Sequence, residues 1–176
     1  MKNYLLLFAF FALNVLAQTP EPNLKWGKPT DEELNMTEYE ADKDADAVEL
    51  WRLVEVSYNW INDNFRVYYR VKCRLKVLKP EGKRVGDQTI SFRINDNHLR
   101  HEIVGGLKAT TYNMENGKVV KTKMENSMVH EEQFDKTTQL IKFSVPQVRV
   151  GSVIEYEYRL ESDFYYDLRD WHAQKG

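Results

Sequence analysis

From Phe65 to Lys79 the chain alternates almost without interruption between apolar and basic or polar positions. The odd positions run Phe65, Val67, Tyr69, Val71, Cys73, Leu75 and Val77, and the even positions run Arg66, Tyr68, Arg70, Lys72, Arg74, Lys76 and Leu78. A strict period of two predicts a long β-strand with one face in a core and the other toward water or a partner. Weaker versions of the pattern recur along the chain. Val48, Leu50, Val54, Val56 and Tyr58 predict one face of a preceding strand, with Arg52 as the exception. Ile90, Phe92 and Ile94 mark a third strand, and Ile103 to Met114 a fourth, in which Gly105-Gly106 suggests a bulge. Asn116-Gly117 is a hairpin signal leading into Lys118–Lys123. Leu140–Val145 and Val153–Leu160 follow, and in the latter Glu155, Glu157 and Glu161 oppose an apolar face.

About seven strands at regular spacing predict a mostly β fold, an antiparallel β-sandwich with one short N-terminal helix. The helix is signalled by Thr30-Asp31-Glu32-Glu33, a capping box, and should end near Met36. The turn Pro80-Glu81-Gly82-Lys83 closes the long strand.

Residues 1–17 read as a secretory signal peptide: Lys2 supplies the positive end, Tyr4 to Leu13 the apolar run, and Val15 and Ala17 the small residues before cleavage. The run is too short to span a bilayer, which takes about 20 apolar residues. The expected organisation is therefore a signal peptide over 1–17, a linker and short helix over 18–46, and a β-sandwich domain over 47–176. The protein is expected to be exported, periplasmic or extracellular, with no membrane span. The formal charge of −2 becomes one unit more negative without Lys2, so nothing draws the protein globally to nucleic acid. A single cysteine allows no intramolecular disulfide.

Candidate chemistry is sparse. Cys73 could be a nucleophile, but its place on the apolar face favours a packed, unreactive thiol. His98 and His101 would suit a metal only on a helix, and Asn95 to His101 reads as a loop. The basic face, with Arg70 and Arg74 at its centre, either binds an anionic polymer such as envelope polysaccharide or pairs with Glu155, Glu157 and Glu161 across two strands; pairing is favoured. Tyr165, Tyr166 and Trp171 form an aromatic cluster that either stacks on sugars or packs and docks, and packing is favoured. No catalytic, cofactor-binding or metal-ligating residue is assigned.

Several segments resemble a known family. Tyr69 to Leu78 with Glu81-Gly82, Ala109 to Val120, and above all Phe143-Ser144-Val145-Pro146-Gln147-Val148-Arg149-Val150-Gly151-Ser152-Val153-Ile154-Glu155-Tyr156-Glu157-Tyr158 resemble the bacterial domain of unknown function 3857. So does Leu168 to Gln174, although Ala173 stands where the family often has an aromatic residue, and Leu34 to Tyr39 is similar to members from Bacteroides-type bacteria. The resemblance implies a β-sandwich module of exported proteins that precedes a transglutaminase-like domain holding the catalytic residues. It thus implies a non-enzymatic module, without a cofactor. Its partners would be that domain, its protein or peptide substrate, or, alternatively, envelope polysaccharide. It also implies further strands after Gln174, hence an expected unpaired strand edge and uncovered apolar surface.

Overall fold

The structure is a computed structural model and describes residues 23–94 and 101–169. A short helix, α1 (Asp31–Asn35), is followed by eight strands. These are β1 (Ala47–Ile61), β2 (Asn64–Val77), β3 (Asp87–Arg93), β4 (Glu102–Glu115), β5 (Lys118–Lys123), β6 (Val129–Gln133), β7 (Thr138–Ser144) and β8 (Val153–Ser162). They form two antiparallel sheets, β1-β2-β8-β4-β5 and β3-β7-β6. The fold is an antiparallel β-sandwich with one short helix.

The alternation in β2 builds the core. Val67, Tyr69 and Cys73 face the second sheet together with Ile154, Tyr156 and Leu160 of β8, and they meet Ile90, Phe92, Ile141 and Phe143. Phe143 and Tyr156 pack edge-on at 5.7 Å. Each such side chain contributes roughly 1.5–3 kcal/mol by leaving water.

Local geometry follows the local sequence. Thr30 accepts from the Glu33 N–H while the Glu33 carboxylate accepts from the Thr30 N–H, so the predicted capping box is formed. Asn116 and Gly117 both take positive φ, as a two-residue hairpin turn requires, and Asn62-Asp63 does the same between β1 and β2. The Gly105-Gly106 bulge is present, with Gly106 at φ +65°.

Three elements differ from expectation. In β1 a register shift between Glu49 and Trp51 puts Val48 beside Lys76, on the opposite face from Val54 and Val56. The bulge breaks the period-two face into two. Pro80–Gly86 is a short 3-10 helix rather than a four-residue turn. Strand β6 went unforeseen because Val129-His130-Glu131-Glu132-Gln133 is almost wholly polar; it is an exposed edge that pairs with β7 and packs only Val129 against the core.

Candidate functional site

The open side of the sandwich lies between β1, an edge of the larger sheet, and β3, an edge of the smaller one. Along it the inner face of β1 around Val56 and Tyr58 stays exposed, while that of β2 is buried in the core. A cleft of about 640 Å³ results, lined by Val54, Val56, Tyr69 and Val71 below and by Thr89 and Ser91 at the β3 edge. Val56 and Tyr58 remain 47 and 50 % exposed.

The backbone of β3 explains what this edge offers. Gly86 C=O accepts from Val145, and Ile94 N–H donates to Thr137, so the even-numbered residues bond toward β7. The odd-numbered residues therefore point away from it. Arg93 N–H donates to Glu102 Oε2 at 2.8 Å, and Ser91 C=O accepts from Arg169 Nη2 at 2.6 Å. Between these closed positions, the N–H and C=O of Thr89 and the N–H of Ser91 have no partner among the described residues.

Among the described residues, two arginines and no carboxylate line the cleft. Arg52 donates through Nε to Glu49 Oε1 at 2.9 Å, and that bond raises its guanidinium pKa above the ordinary value. Arg169 bonds Glu102 Oε2 at 2.7 Å, and its backbone N–H reaches the Tyr69 hydroxyl at 3.5 Å. Burial alone would push the Glu102 carboxyl up, but Arg169 and Arg93 hold it below the usual range.

The residues singled out in the sequence fall in three places. Tyr165 and Tyr166 lie beside the β1–β2 hairpin tip. Tyr165 is 5.8 Å from Phe65 and 5.3 Å from Tyr166, and Phe65 is 4.8 Å from Trp60. Trp60 and Tyr166 are 60 and 61 % exposed, and sequence reasoning missed Trp60. Trp171 and His98 lie outside the described residues. Arg70 is exposed and pairs with Glu55 at 3.6 Å.

Arg74 makes the favoured pairing with Glu155 across β2 and β8, and it is fully buried where the alternation alone would leave it toward solvent. Its Nε bonds Glu155 Oε1 at 2.9 Å, its Nη1 reaches Glu33 Oε2 at 2.8 Å, and the carbonyls of Asn23 and Lys25 take further protons. The Trp51 ring lies 4.9 Å from the guanidinium carbon. Lys76 is also buried, donating to Leu34 C=O and Gly151 C=O at 2.7 Å each. Burial lowers its pKa to about 8, against the pull of Glu33. The cover comes from residues 23–35, whose Pro- and Gly-containing composition reads as a linker. Arg70 and Arg74 therefore do not form a shared anion site.

Cys73 is buried, and desolvation pushes its thiol up to about 12, which removes the thiolate at neutral pH. His101 pairs with Asp163 at 3.4 Å. Among the described residues no group of His, Cys, Asp and Glu could hold a metal ion, and no helix is long and apolar enough to cross a membrane.

The family model for DUF3857, a domain of unknown function with a solved structure, matches residues 63–174, more than half of the chain. The chain belongs to that family. No curated protein matches it. It is similar to a crystal structure from Parabacteroides distasonis named "a putative protease", at 14 % identity and a TM-score of 0.44. That similarity covers 62 % of this DUF3857 chain and 22 % of the other, so the chain spans about a fifth of the length of that relative.

Proposed function

We propose that this chain is a non-catalytic, exported β-sandwich module that holds a neighbouring transglutaminase-like domain, or that domain's protein or peptide substrate, against the open side of the sandwich. The observation that carries the reading is the cleft between β1 and β3, where apolar side chains and unpaired backbone groups meet in one place. Proteins seldom leave such an edge and such a surface together unless something is received there. The buried Cys73 supports a module without its own nucleophile.

Hydrogen exchange tests it, comparing the module alone with the protein carrying a transglutaminase-like domain. Protection gained along β1 and β3, with β5 unchanged, is the expected result. Unchanged exchange at both edges overturns the reading.

A second reading rests on a different observation. Trp60, Phe65 and Tyr166 expose ring surface at the hairpin tip beside Asn62 and Asn64, a combination of faces and amides that suits a saccharide. A soluble envelope polysaccharide should then bind the native protein and lose affinity with Trp60→Ala.

A further inference from the structure

We infer that the open side takes an extended peptide as an added strand on β3, with an acidic side chain of that peptide received by Arg52 or Arg169. The inference rests on the reading of this side as a protein-binding face, and it names the form and charge of the occupant.

Three observations converge. The free edge of β3 is closed at Ser91 C=O and Arg93 N–H by Arg169 and Glu102, and at Asp87 N–H by Arg84 C=O. Between them Asp87 C=O, the N–H and C=O of Thr89 and Ser91 N–H have no partner among the described residues, and a short strand lying about 4.8 Å away would bond them. A strand in that position points alternate residues inward, over Val54, Val56 and Val71, and the cleft of about 640 Å³ has room for them. Among the described residues the charged lining is cationic, and Nη1 of both Arg52 and Arg169 has no partner there. A carboxylate brought by the ligand complements it. A neutral saccharide would bring no carboxylate to the Nη1 groups that Glu49 and Glu102 leave unbonded.

The probe is a fluorescein-labelled, end-blocked Thr-Val-Thr-Val-Thr-Glu-Thr peptide, whose two valines and glutamate share one face when extended. Anisotropy with the whole mature protein should show saturable binding. Thr89→Pro removes an N–H that points away from β7 and should leave the sheet intact. It should weaken binding by about tenfold. Because that variant could fail to fold, the same peptide N-methylated on its bonding edge provides a second arm and should not bind. The Gln analogue of the probe should bind about fivefold more weakly.

Equal binding of the N-methylated peptide overturns strand addition while leaving a protein-binding face. Equal binding of the Gln peptide overturns the acidic preference. No binding of the probe at millimolar concentration overturns the inference whatever the exchange experiment above returns. A soluble β-glucan that binds where the peptide does not, or self-association abolished by Thr89→Pro, overturns it in favour of a sugar or a second copy.

Discussion

Arg74 on β2 and Glu155 on β8 stand directly opposite one another, with Nε 2.9 Å from Oε1 and neither side chain exposed to solvent. Glu155 also accepts from the Tyr112 hydroxyl and from Gly27 N–H, and Glu33 reaches Arg74 from α1. One guanidinium therefore joins β2, β8 and the N-terminal segment. Arg74→Gln leaves two carboxylates with no cation of their own in a dry site, and such losses cost about 3–5 kcal/mol. Urea unfolding should show it as a lowered midpoint at unchanged slope. A loss below about 1 kcal/mol, the size of an exposed pair, would mean the cluster is wet.

Lys76 gives a pH dependence whose sign can be worked out. Below about pH 8 its amine is charged in both states, and burial penalises the folded one. Between 8 and the ordinary 10.5 the unfolded chain keeps a proton that the folded chain has released, so stability rises with pH. Measured as the difference between the native protein and Lys76→Met, which cancels the tyrosine and Cys73 titrations, the gain should be roughly 1–3 kcal/mol across that interval. A flat difference would show that the two carbonyl partners fully offset desolvation.

These two residues also show how far the sequence could be read. Alternation in β2 identified Cys73 as inward and Arg74 as outward, because periodicity reports the face of a strand. It says nothing of what covers that face. The cover is the segment from Asn23 to Asn35, where the capping box at Thr30 and Glu33 was legible but its contact with Arg74 was not. The cleft escaped for a similar reason: it arises from where β3 ends relative to β1, a relation between sheets that neither strand encodes. The Glu49 bulge and polar β6 were hidden because each departs from the pattern used to find strands.

Cys73 should behave as a packing residue. With no solvent exposure and a thiol raised to about 12, it should react with a maleimide many times more slowly in the native protein than in denaturant. Mass spectrometry of timed aliquots gives the ratio. Rapid stoichiometric labelling of the native protein would return Cys73 to the list of candidate nucleophiles.

Two glycines should respond to alanine in opposite ways. A Cβ on Gly82 would lie 2.0 Å from the carbonyl oxygen of Asp46. That oxygen already accepts from the N–H groups of Leu78 at 2.8 Å and Lys79 at 2.9 Å, so it cannot retreat without breaking the link between the start of β1 and the end of β2. Gly82→Ala forces backbone against backbone and should cost at least about 1–3 kcal/mol. Gly105 meets nothing within 4 Å and does not take a positive φ, so Gly105→Ala should be neutral or stabilising by about 0.4–1 kcal/mol through the unfolded chain. Thermal unfolding of both variants checks the contrast. Equal melting temperatures would show that the 3-10 segment shifts freely away from β1, and that the close approach of Gly82 to Asp46 does not hold the hairpin in place.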